Sequence, residues 1–109
     1  MPTRPGRAWS FSVVAEPSRD TTVLRLSGRF GHKAAPEFER VAATCLGAPP
    51  AAIVIDLTDV DYLSSPGLRA ITRLAARLEQ MQGQVVVRGA RDAVRVTLGL
   101  ADFARQRSA

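Results

Sequence analysis

The apolar run Ala51–Leu57, centred on Ile53, Val54 and Ile55, constrains this chain more than any other feature. This seven-residue run, apolar except for Asp56 and bounded by Pro49-Pro50 and by Thr58-Asp59, has the pattern of a strand buried on both faces of a parallel sheet. It is expected to be the central strand. Parallel neighbours must be joined by crossovers, usually helices, so the run points to an α/β arrangement with right-handed connections.

The flanking sequence supplies the elements that this reading needs. Phe11, Val13 and Ala15 alternate with Ser12 and Val14, and Leu24 and Leu26 flank Arg25. These two short period-two segments, separated by the turn-rich Glu16–Asp20, predict an antiparallel pair. Gly28 and Gly31 mark the exit. Pro36 suits the first turn of a helix carrying Phe38, Val41, Ala42 and Cys45 and ending near Gly47, because an early helical position has no intrahelical use for the missing amide hydrogen. Beyond the central strand, Asp59-Val60-Asp61 reads as an acidic link. A second helix then carries Leu68, Ile71, Leu74, Leu78 and Met81 at helical spacing and closes at Gly83. Gln84–Val87 is a further short strand, and a third helix starts near Asp92 with Val94 and Leu98 on one face. Gly99 either ends that helix or lies inside it on the way to Phe103.

Length and composition bound the function. A chain of 109 residues suffices for one core. The expected division is a disordered leader over 1–8, a domain over 9–104 and a tail over 105–109. With 46% hydrophobic and 23% charged residues the chain has enough apolar surface to fold. The stretch Ala48–Ile55 falls far short of the roughly 18–20 residues of a membrane span. Trp9–Ala15, broken by serines, is no secretory signal, so a cytoplasmic protein without a membrane partner is expected. One cysteine, Cys45, and one histidine, His32, rule out an internal disulfide and clustered metal ligands. Cys45 reads as a small buried helix residue and His32 as an ordinary loop residue. The net charge of +5 raises the possibility of nucleic acid. Setting aside Arg4, Arg7, Arg105 and Arg107 in the tails leaves 11 basic against 10 acidic residues, so no direct nucleic-acid partner is expected.

No phosphate-cradling glycine loop and no nucleophile elbow occurs, which argues against an enzyme; no catalytic residue, metal site or cofactor is expected. Asp56, Asp59 and Asp61 fall between the central strand and the second helix, where they form turns or meet solvent, with Asp56 bonding local backbone, or touch a partner. The informative segment is Leu63-Ser-Ser-Pro-Gly-Leu68. Proline fits the first helical position and pushes the residue before it to extended geometry, which predicts Ser65 as the N-cap. Along the helix, Arg69, Arg73 and Arg77 make a stripe at four-residue spacing. Like charges so placed oppose one another by about 0.2–0.5 kcal/mol per pair, so helix stability does not explain them; the alternatives are a solvated face and a face for an acidic partner.

Ala51-Ala-Ile-Val-Ile-Asp-Leu-Thr-Asp-Val-Asp-Tyr-Leu-Ser-Ser-Pro-Gly-Leu-Arg69 resembles the central signature of the STAS domain, particularly of the bacterial anti-sigma factor antagonists. The likeness extends to Leu26-Ser-Gly-Arg-Phe30 with Ala35-Pro-Glu-Phe38, and to Gly83–Val87 with Val94-Arg-Val96, covering roughly residues 11 to 103. It implies a mixed sheet of about four strands packed with three or four helices in a single domain. It also implies a regulator without enzymatic activity, in which a serine at this helix start is phosphorylated by a partner serine kinase that doubles as an anti-sigma factor. A metal-dependent serine phosphatase restores the unmodified form, which binds the kinase and releases the sigma factor. On matching positions that serine is Ser65, with Ser64 the alternative. The expected partner-binding set is Ser64, Ser65, Pro66, Gly67, Arg69, Arg73, Arg77 and Asp61. The sequence departs from the family pattern at Ser64, where many members have Asp, and at Pro66, which replaces a small residue. A second reading from the same resemblance is a STAS-like scaffold or transporter-associated subunit that is not phosphorylated.

Overall fold

The computed structural model describes residues 10–99. The expectations for a disordered leader, a C-terminal tail and a continuation of the last helix to Phe103 lie outside the described residues. Within them the elements run β1 (Phe11–Ser18), β2 (Thr21–Phe30), α1 (Ala35–Leu46), β3 (Ala52–Leu63), α2 (Ser65–Gln80), β4 (Gln84–Arg88) and α3 (Asp92–Gly99). The sheet order is β1-β2-β3-β4. β1 pairs antiparallel with β2, whereas β2–β3 and β3–β4 are parallel pairs, so the sheet is mixed as expected.

Two boundaries differ from the sequence reading. The first turn is only Arg19-Asp20, because β1 continues through Glu16-Pro17-Ser18 to pair Ser18 with Thr21. Pro17 is tolerated there because β1 is an edge strand, where a missing amide hydrogen need not break a ladder. The second difference matters more for the site: Asp59-Val60-Asp61 is not a link but part of β3, since β2 also runs on and offers partners as far as Phe30↔Leu63. Two register shifts interrupt this pairing, and Gly28 sits in the irregular region at φ +92. A side chain there would meet the Ser10 carbonyl oxygen at 2.1 Å, so this bend requires glycine. The shifts break the alternation of apolar residues, which is why period-two reasoning ended both strands too soon.

One core lies between the sheet and the helices. Leu24 and Leu26 of β2, Ile53, Ile55 and Leu57 of β3, and Val85 and Val87 of β4 face Phe38 of α1 and Ile71, Leu74 and Leu78 of α2. Fully burying each such side chain contributes about 1.5–3 kcal/mol. Phe30 sits between Phe11 and Phe38, with ring centroids 4.9 and 5.1 Å away. Among the described residues nothing apolar covers the opposite sheet face, in contrast to the expectation that β3 is buried on both faces. There Val54 is half-buried, and Asp56 is shielded instead by charged neighbours. α2 ends one residue early: Met81 is its C-cap and is 45% exposed, so it does not belong to the core. α1 begins with Pro36 in its first turn and stops at Gly47, as expected. Cys45 is half-buried against the core, and burial pushes its thiol above the ordinary range. No helix among the described residues is long and apolar enough to cross a membrane.

Candidate functional site

The end of β3 delivers the serine pair to the start of α2, and the two hydroxyls have different fates. Ser64 has extended backbone, φ −91 and ψ 170, and its Oγ accepts the Gly67 amide hydrogen at 3.2 Å. The same hydroxyl donates to the Phe30 carbonyl at 3.2 Å, and the Ser64 amide donates to that carbonyl at 3.0 Å. Ser64, not Ser65, is therefore the N-cap. The first four amide groups of a helix have no intrahelical acceptor, so Pro66 is as well placed at the second helical position as at the first. The preference of a pre-proline residue for extended geometry is outweighed by a cap bonded at both ends to neighbouring structure. Ser65 occupies the first helical position, exposed, and no residue among those described bonds its hydroxyl.

Gly67 locks this junction. A Cβ there would meet the Phe30 carbonyl oxygen at 2.6 Å and the Leu63 side chain at 3.0 Å. Only glycine lets the first turn of α2 press onto the ends of β2 and β3. Gly67 is itself buried, so within the expected partner-binding set it shapes the loop and offers no side chain to a partner. Pro66 is half-buried and Asp61 is exposed on β3. The arginine stripe divides. Arg73 pairs with Glu39 of α1, and both border a cleft of about 210 Å³ between α1 and α2 together with Arg77. Arg69 and Arg77 are exposed and have no ion-pair partner among the described residues.

The three aspartates do not form one cluster. Asp56 belongs to the open face of the sheet, where its Oδ1 accepts from the Thr58 hydroxyl at 2.6 Å and the Thr58 amide at 3.0 Å. Its Oδ2 accepts from Arg25 at 2.9 Å and from Arg88 at 3.3 Å. Burial pushes this carboxyl up, but the Thr58 bonds and the Arg88 guanidinium together hold it below the ordinary aspartate value. The backbone bond expected for Asp56 is present. Among the described residues no three His, Cys, Asp or Glu side chains converge as metal ligands.

Sequence reasoning missed the surface beside the serines. A cleft of about 500 Å³ is lined by Arg29, Gly31, His32, Lys33, Ala34, Tyr62, Ser64 and Pro66. The Arg29 guanidinium lies over the Tyr62 ring, 4.1 Å from its centroid. The register pair Arg29↔Tyr62 brings them together, and the turn after β2 adds His32 and Lys33. The available signal was Arg29, His32 and Lys33 within five positions, spanning the end of a strand and the turn that follows it.

Residues 14–105 match the family described as "Mlab, STAS domain". No curated protein sequence matches significantly. Among solved structures, the chain is similar to the anti-sigma factor antagonist SpoIIAA in its unphosphorylated form, with TM-score 0.80 and 17% identity over 90% of this chain and 86% of that one. It is also similar to an anti-sigma factor antagonist from Mycobacterium paratuberculosis, with TM-score 0.79 and 26% identity over 89% and 82% of the two chains. A sulfate transporter family protein from Wolinella succinogenes shares the fold at TM-score 0.70 and 15% identity, over 82% of this chain and 75% of that one.

Proposed function

Because this chain belongs to the STAS domain family, we propose that it is an anti-sigma factor antagonist whose binding to a serine kinase is switched by phosphorylation of Ser65. The observation that carries the proposal is the division of labour between the two serines. Ser64 is held in the cap, whereas Ser65 is exposed at a helix start, with a hydroxyl that no described residue bonds. A kinase needs a hydroxyl it can reach without dismantling the fold, and Ser65 meets that condition. A phosphate there adds about 1.5–2 negative charges, which the helix dipole tolerates but a complementary partner surface does not.

The remaining parts follow from this reading. The unmodified protein binds the kinase, which is also the anti-sigma factor, and so frees the sigma factor; a metal-dependent serine phosphatase resets the switch. The chain acts by binding in the cytoplasm and catalyses nothing. Ser65, Pro66, Arg69, Arg77 and Asp61 present side chains at or near the contact, while Ser64, Gly67 and Arg73 hold its shape. Incubation with candidate serine kinases and magnesium ATP, followed by intact mass and site mapping, tests the proposal. One phosphate on Ser65 is the expected result, and a phosphate on Ser64 would move the assignment by one residue.

A second reading has its own support in the "Mlab, STAS domain" match and the transporter-family likeness. In it the domain is an unmodified subunit docked on a transporter assembly. If no serine kinase modifies either serine and the protein co-purifies with a membrane complex, this reading replaces the first.

A further inference from the structure

The cleft beside the serine pair holds more positive charge than its surroundings neutralise. Arg29, His32 and Lys33 line it together, and none of them has a carboxylate partner among the described residues. Elsewhere Arg25, Arg40, Arg73 and Arg88 each meet an acidic side chain. Arg29 gains a ring contact with Tyr62, but that contact leaves its charge in place. Like charges around one concavity repel one another, and an anion seated among them would relieve that repulsion.

Several backbone amides at the helix start are already engaged. The Ser64 amide is taken by the Phe30 carbonyl, the Gly67 amide by Ser64 Oγ and the Leu68 amide by the Ser64 carbonyl, while Pro66 has none. The cationic character of the cleft comes from its side chains. Ser64 and Pro66, the residues on either side of Ser65, both line the cleft, and Ser65 itself is exposed between them.

We propose that this cleft is the seat for a phosphate monoester carried in cis on Ser65, an inference that rests on the reading of Ser65 as the modified residue. The unmodified chain presents a cationic cleft to its partner. The modified chain fills that cleft with its own phosphate, so the switch removes a positive docking feature as well as adding negative charge.

The test uses the full chain in two forms, unmodified and with phosphoserine incorporated at position 65 during translation, which needs no kinase. Inorganic phosphate is titrated into each at constant pH and ionic strength while amide signals of Gly31, His32 and Lys33 and the Arg29 Nε–H signal are followed by NMR. The unmodified protein should show saturable shifts, weakened about fivefold or more in the double variant R29Q/K33Q. The phosphoserine form should start near the shifted end point and no longer respond. Both substituted side chains are exposed, and unchanged signals from β3 and α2 confirm the fold. An unmodified protein without a saturable response, or one that R29Q/K33Q leaves unaltered, overturns the seat; a phosphoserine form that still takes up phosphate with unmodified affinity overturns its occupation in cis. Failure of every kinase to modify Ser65 would instead remove the proposed function, and the titration of the cleft would stand apart from that result.

Discussion

Ser64 and Ser65 differ by one position and by everything that decides a residue's role. Ser64 Oγ satisfies an otherwise orphaned helix amide, so Ser64→Ala should destabilise the fold by about 1 kcal/mol, within the range of about 0.5–2 kcal/mol known for lost caps. Ser65→Ala removes an exposed hydroxyl without a partner among the described residues and should change stability by less than about 0.5 kcal/mol. Urea unfolding of the two variants reads this difference directly, and equal losses would return the cap to Ser65. The sequence made the serine pair visible but not its assignment. The deciding contact is the Phe30 carbonyl, 34 residues away in the chain, which fixes Ser64 before proline preference acts. Gly67 carries the same lesson: the sequence puts it in the expected partner-binding set, and the 2.6 Å approach to the Phe30 carbonyl oxygen shows instead that it is there to let the chain pack.

At the level of elements, the open sheet face is stitched by a row of charges that crosses all four strands, Glu16 to Arg25 to Asp56 to Arg88. Only Asp56 is buried in this row, at 6% exposure, so it is the member whose charge state counts. Its carboxyl titrates lower when folded than when unfolded, so it contributes stability above the ordinary aspartate range near 3.9 that is lost as pH falls through its lower folded value. Asp56→Asn should cost about 1–3 kcal/mol at neutral pH and should flatten the acid side of the stability curve, measured by urea unfolding across pH. A parallel acid limb in the variant would assign the effect to other carboxylates. The arginine stripe of α2 likewise separates by element. Arg73→Glu sets a like charge against Glu39 of α1 and should loosen the helix pair, whereas Arg69→Glu should leave stability unchanged and weaken capture of an acidic partner more at low salt than at high. An Arg69→Glu variant that captures the partner normally at both salt concentrations would take this residue out of the contact. The periodicity of the stripe was legible; that one member is spent on helix packing was not, because the partner residue lies on another element.

For the whole molecule, the order of strands and helices was readable because each apolar period is local, and the resemblance to the STAS domain assembled those periods into one mixed sheet. What local pattern could not give is the depth of the β2–β3 pairing, which carries β3 through Asp59–Asp61 to the serine pair and makes α2 start from a paired sheet end. That pairing bears on switching. The phosphate acceptor proposed here protrudes from a fixed junction, so its modification should alter the surface and leave the fold unchanged. The first turn of α2 contains no acidic residue, in contrast to Glu37 in α1 and Asp92 in α3, so a negative charge at Ser65 meets an unopposed positive helix end. Ser65→Asp should therefore raise stability by about 0.3–1 kcal/mol relative to Ser65→Asn, a neutral residue of nearly equal size. The same change should weaken capture by the kinase partner, while Ser65→Asn, which cannot be phosphorylated, stays competent. Stability by urea unfolding and affinity by titration should thus move in opposite directions across this pair. Binding that falls together with stability would mean that Ser65 acts through the fold, and equal binding by both variants would mean that charge at this position is not what the partner reads.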